Sequence, residues 1–133
     1  MKRFTIIAAL LLAAAGCKGP DVEEVLLHRS DISLTWKGDV QVSYNPATCQ
    51  MSFNDGSNTY RIYTDKLSEW FMVSCSENPV SQGQTLTADV SWTGPRSIKT
   101  FNGVEFKVEK TDGSGLVWLW SSTHTIGIII RNM

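Results

Sequence analysis

The chain is poor in the residues that carry chemistry. It holds two histidines and three cysteines among 133 residues, and none of them stand at the close spacing that builds a metal site, so no metal is expected. Nucleophilic catalysis needs a base oriented beside its nucleophile. His28 lies close to the start of the chain, and His124 follows Ser121, Ser122 and Thr123 in a segment of ordinary loop composition. No catalytic residue is therefore assigned. Glycoside hydrolysis needs two placed carboxylates, but acids such as Glu105 and Glu109 alternate with apolar residues and should point to solvent. Positive charge is also short. Twelve Lys and Arg face thirteen Asp and Glu, for a net charge of −1, which leaves no basic patch for nucleic acid. The run Asp112-Gly113-Ser114-Gly115 has neither the lysine nor the helix start of a phosphate loop and reads as a turn. No cofactor is implied.

Long apolar runs are missing everywhere except at the beginning. Lys2 and Arg3 precede residues 4–15, which carry no charge, the pattern of a signal-peptide n-region and h-region. At roughly 1.5 Å per residue such a helix reaches about 18 Å, short of a hydrocarbon core of about 30 Å. The run ends in Leu12-Ala13-Ala14-Ala15-Gly16-Cys17, which resembles the lipobox of bacterial lipoproteins. That resemblance implies cleavage before Cys17, diacylation of its sulfur and acylation of the new amine. Two or three chains anchor durably, because each buried methylene contributes about 0.8 kcal/mol. Lys18 stands where an inner-membrane retention aspartate would stand in enteric lipoproteins, which favours the outer membrane. Asp21, Glu23 and Glu24 are loosely similar to the export signal of Bacteroidetes surface lipoproteins. Periplasmic and cell-surface display both remain open.

The resulting organisation is a signal peptide at 1–16, a lipidated cysteine and tether at 17–29, and a single β domain at 30–133, long enough for a real core. Within 22–29 the run Val25-Leu26-Leu27 fits a turn of helix or a first strand, and a strand or irregular edge is preferred. Cys49 and Cys75 form an even pair in an oxidising compartment, so a disulfide worth about 3 to 4 kcal/mol is the first expectation, with two inert core thiols as the alternative.

From Asp31 onward the hydrophobic period is two. Ile32, Leu34 and Trp36 alternate with polar residues, as do Val40, Val42 and Tyr44 across a Lys37-Gly38-Asp39 turn. Similar rows recur through Met51 and Phe53, Tyr60 and Ile62, and Phe71 and Val73. A helical turn is conceivable over 65–69. The polar stretch 77–83 is long enough to carry the chain between two layers. Beyond it, Leu86, Ala88, Val90 and Trp92 alternate cleanly, and Asn102-Gly103 is the strongest hairpin signal in the chain. The runs 116–120 and 126–130 are apolar on both parities, which places them centrally. This pattern predicts an all-β fold, a compact antiparallel β-sandwich of about nine strands, with an up-and-down β-barrel as the alternative.

Five tryptophans are unusual in so short a chain. Trp36 and Trp92 share parity with core residues. Trp118 and Trp120 point to one face of a strand, and Trp70 opposes Phe71. Exposed, Trp118, Trp120 or Trp70 would form an aromatic platform for a sugar ring or a protein partner. The expectation is a non-enzymatic binding or accessory module of the cell envelope. A protein partner ranks ahead of carbohydrate because no cleft is evident in the sequence. The competing readings are an envelope hydrolase or hydrolase inhibitor, which would need His124 beside a carboxylate, and a barrel carrying an apolar ligand among residues such as Ile62, Phe106 and Ile128.

Overall fold

The computed structural model describes residues 22–47, 49–63 and 68–132. The lipobox, Cys17 and residues 65–67 of the expected helical turn lie outside them. Among the described residues one helix, α1 (Val22–Leu27), precedes nine strands: β1 (Ile32–Trp36), β2 (Asp39–Tyr44), β3 (Gln50–Asn54), β4 (Thr59–Tyr63), β5 (Trp70–Cys75), β6 (Thr85–Thr93), β7 (Ile98–Thr111), β8 (Leu116–Ser121) and β9 (Ile126–Arg131). The expectation of an all-β antiparallel fold of about nine strands is met. The strands form one continuous sheet in the order β2-β1-β9-β8-β7-β6-β5-β4-β3, and every neighbouring pair is antiparallel.

That order is the meander of an up-and-down barrel left open between β2 and β3. Directions alternate across nine strands joined in eight antiparallel pairs, so both edge strands run in the same sense. They cannot join as an antiparallel pair, and the sheet stays a strongly curled half-barrel. Its two halves face one another across the core, much as the layers of a sandwich do. Trp36 on β1 meets Trp92 on β6 with ring centroids 5.7 Å apart. The Tyr44 hydroxyl donates to the Glu69 carbonyl over 2.6 Å, and Asn132 donates to the Pro79 carbonyl over 2.6 Å.

Bulges supply the bend, because an extra residue on one strand sharpens the local twist. Glu109 is extra in β7 opposite β8, and Gln41 is extra in β2 opposite β1. The third bulge corrects a sequence expectation. Asn102-Gly103 does not turn the chain between two strands but lies within the fourteen-residue β7. There it opposes the single residue Asp89, between the pairs Ala88↔Val104 and Val90↔Phe101. Gly103 adopts φ 66°, and its N–H donates to the Asp89 carboxylate over 2.9 Å. The left-handed conformation read as a hairpin turn instead serves a bulge, because the ladder with β6 continues on both sides.

Two other expectations change. The 77–83 segment does not cross between layers: β5 and β6 are hydrogen-bonded neighbours, and the Gln84 side chain holds the loop together through the N–H groups of Val80 and Ser81 and the carbonyl of Asn78. Residues 22–27 are helical rather than extended. Val22, Val25 and Leu26 stand at helical spacing, and Glu23 and Glu24 occupy the first turn, where negative charge favours a helix.

The inner face of the sheet forms one hydrophobic cluster. β8 and β9 are buried on both faces, as their sequences predict, and the cover on the outer face is α1. Leu26 is 1% exposed. It lies directly on Gly127, where an added Cβ would come within 2.9 Å of both Leu26 methyl carbons and 2.8 Å of the Thr35 hydroxyl.

Candidate functional site

The alternation of β3, β4 and β5 sends Phe53, Tyr60, Ile62, Phe71 and Val73 inward and leaves a second row outside. The register assembles that outer row into a grid. Gln50, Tyr63 and Trp70 stand side by side across the three strands, and Ser52, Arg61 and Met72 form the adjacent row. Trp70 and Tyr63 are a direct cross-strand pair, half-buried. Among the described residues no helix or loop packs on them as α1 packs on β8 and β9. Ser52, Arg61, Tyr63, Trp70 and Met72 line an open cleft of about 440 Å³, within the range of small-ligand sites.

The cleft has one formal charge among its lining residues. The Arg61 guanidinium is exposed, and its nearest described partner is the Met72 sulfur, 3.8 Å from Nη2. Among the described residues no carboxylate lies within ion-pair distance of it. The site therefore offers two adjacent aromatic rings, one cation, a thioether and a hydroxyl, with no described group placed for proton transfer. It can hold a ligand with an apolar face and a polar rim.

The structure separates the three tryptophans of the candidate platform, Trp118, Trp120 and Trp70. Trp118 and Trp120 do share the outer face of β8, but Trp118 is 2% exposed. Its Nε1 donates to the Arg29 carbonyl over 3.0 Å, and the Lys110 ammonium sits over its ring at 4.5 Å. It belongs to the seat of α1. Trp120 is half-buried on the wall of a wider outer cleft of about 720 Å³ with Glu77, Glu105, Glu109 and Lys107. Trp70 alone joins a second aromatic ring on the bare part of the sheet. Tyr63, Arg61 and Met72 were not singled out from sequence. Their signal was available in the parity of β4 and β5, but only strand register shows that Tyr63 meets Trp70.

The expected disulfide is not formed. Cys49 and Cys75 are free, and register keeps them apart. Cys49 precedes Gln50, which pairs through Tyr63 with Trp70 at the start of β5, whereas Cys75 is the last residue of β5. At about 3.3 Å per residue β5 separates those positions by about 17 Å, beyond the reach of a disulfide. Burial pushes the Cys75 thiol up to about 12. Burial also raises the Cys49 thiol, partly opposed by Arg131.

His124 has no described carboxylate partner. Its Nδ1 is 3.1 Å from the Thr123 hydroxyl, and its ring meets Phe101 edge-on at 5.3 Å. The arrangement that the hydrolase reading requires is not present among the described residues. Ile62, Phe106 and Ile128 are buried in the continuous core, where their side chains fill the space that an apolar cargo would occupy. Among the described residues no three His, Cys, Asp or Glu gather as metal ligands. Asp112 is a turn former: the Ser114 hydroxyl, then the Leu116 and Ser114 N–H groups, hold its carboxyl below the usual carboxylate range.

Compared with protein-family models, curated proteins and solved structures, the chain matches none of them.

Proposed function

We propose that this chain is a lipid-anchored binding module of the bacterial cell envelope, held in the outer membrane by acyl chains on Cys17, and that it binds carbohydrate in the Tyr63–Trp70 cleft. The observation that carries the reading is the cross-strand pair of half-buried aromatic rings in an open cleft on an uncovered sheet face. Aromatic rings present a flat apolar surface with a polar edge, which suits the apolar face of a pyranose ring. The preference for a protein partner drew its edge from the lack of an evident cleft, and the outer face of β3–β5 removes that reason. Anchoring follows from the resemblance of residues 12–17 to a lipobox, with the site carried on the domain that the lipid holds to the membrane.

A protein partner remains the second reading, because tryptophan, tyrosine, arginine and methionine are the residues enriched in protein interfaces. A glycan-array screen of the purified full chain, wild type and Trp70→Ala, separates the two. At least one glycan should be retained by the wild type and lost by Trp70→Ala, while Trp118→Phe leaves retention unchanged. An empty array, or retention that ignores Trp70, counts against carbohydrate. For the anchor, Cys17→Ala should shift the chain from the membrane fraction to the soluble fraction, and continued attachment would refute lipidation.

A further inference from the structure

We infer that the cleft selects acidic sugars, with Arg61 pairing to the carboxylate of a uronic acid whose ring rests on Tyr63 and Trp70. This rests on the carbohydrate reading of the same cleft. The argument begins with register. Arg61 and Tyr63 are two residues apart on β4 and share the outer face, so their rows are about 7 Å apart. That step matches a pyranose lying on the aromatic row with its ring substituent over the next. The residue met there is the arginine, flanked by Ser52 on one side and Met72 on the other.

Charge gives the specificity. Elsewhere on the molecule Arg29 is held by Asp31 over 2.5 Å, and Lys110 donates to the Leu27 carbonyl over 3.2 Å. Arg61 has no comparable partner among the described residues; the thioether beside it is a weak acceptor. A guanidinium presents a planar fork that matches a carboxylate in bidentate fashion. Pairing it with a ligand would break no described ion pair. A neutral sugar leaves the same fork in water, gaining the aromatic contact alone. The Ser52 hydroxyl, beside Arg61, offers the ring hydroxyls a donor and an acceptor.

The test uses the purified full chain in detergent and titrates it with oligogalacturonate, alginate oligosaccharides and hyaluronan oligosaccharides, each beside its carboxyl methyl ester, with neutral oligosaccharides in parallel. At least one acid should bind about tenfold more tightly than its ester, the size expected for a charge-assisted hydrogen bond. Arg61→Gln should reduce that ratio to about twofold or less without abolishing binding to the ester, and Arg61→Lys should restore part of it. Trp70→Ala should remove binding to acid and ester alike. Equal affinity for acid and ester, still dependent on Trp70, overturns the selectivity and leaves the carbohydrate site standing. An Arg61→Gln variant that weakens acid and ester by the same factor overturns it too, since the arginine would then only support the cleft. No binding to any acidic or neutral sugar overturns both the selectivity and the site.

Discussion

Trp118 and Trp70 stand on the same outer face of one sheet, on strands three places apart in it, and their surroundings are opposite. Over β8, β9 and β1 the outer rows are Trp118-Ile129-Ser33 and Trp120-Gly127-Thr35, buried except for the half-buried Trp120, because α1 lies across them. Over β3, β4 and β5 the outer row is Gln50, Ser52, Arg61, Tyr63, Trp70 and Met72, which no described element covers. The difference lies in the company each tryptophan keeps. Trp118 has apolar neighbours on both parities of its own strand and of β9, a composition that would expose too much apolar area unless something covered it. Trp70 stands among polar and charged neighbours that tolerate solvent. One ring therefore seats a helix, and the other lines an open cleft.

Removing the helix contact should have the largest effect on stability. Leu26→Ala should lower unfolding stability by about 3 kcal/mol, as for other buried leucines, measured by urea denaturation. Acrylamide should then quench Trp118, which is protected in the wild type. An unchanged denaturation midpoint would mean that α1 is not part of the cooperative fold. Gly127→Ala should cost about 2 kcal/mol through overpacking, since the new methyl group meets Leu26 and Thr35, and it too should loosen α1.

Lys110→Met should cost about 1 kcal/mol or less, through loss of the bond to the Leu27 carbonyl and of the cation over Trp118. On the bare side, Trp70→Ala should cost about 1 kcal/mol or less, the scale of a cross-strand pair, while eliminating glycan retention. If Trp70→Ala instead unfolds the chain, Trp70 is a core residue, and the contrast between the two regions fails.

The cysteines give a prediction in pH. Cys75 is neutral in the folded chain up to about 12, whereas an exposed thiol ionises near its ordinary value of 9.0. The unfolded chain therefore loses a proton first, and the stability from the neutral buried thiol is lost as pH rises from about 9 toward 12. The melting temperature should fall over that window by less in Cys75→Ala than in the wild type. An identical fall in both would assign the alkaline loss to other groups, such as Tyr44, whose hydroxyl is also raised to about 12 by burial, then by Glu69 and Cys49. In the native chain, thiol reagents should modify Cys49 before Cys75, and after denaturation without reductant both should react. A blocked pair would restore the disulfide expectation.

Most of the secondary structure was legible because period two is set by the pleat of each strand. The inward rows of β1, β4, β6 and β7 follow directly from Leu34, Tyr60, Val90 and Phe106 alternating with polar residues. The double-sided apolar runs of β8 and β9 also gave their interior place in the sheet. Asn102-Gly103 misled because a left-handed glycine serves a hairpin turn and a bulge equally well, and only pairing with Asp89 distinguishes them. The short helix was hidden in a six-residue segment whose Val22, Val25 and Leu26 spacing competes with a reading as an edge strand. Of the candidate site, Trp70 was visible as an outward aromatic. Arg61, Tyr63 and Met72 were not, because each looked like an ordinary solvent-facing strand residue until three strands came into register.

By itself the sequence determined the elements and the sides of its strands: local alternation decides which residues a strand turns inward, and the composition of residues 1–17 decides the resemblance to an anchored chain. The tertiary structure decided what those sides meet. Strand order, register and the seat of α1 depend on contacts between residues far apart in the chain, and no local pattern encodes which outer row a helix will cover. For that reason Trp118, on a strand apolar on both faces, lies buried beneath α1, whereas Trp70 faces an open cleft beside Tyr63 and Arg61.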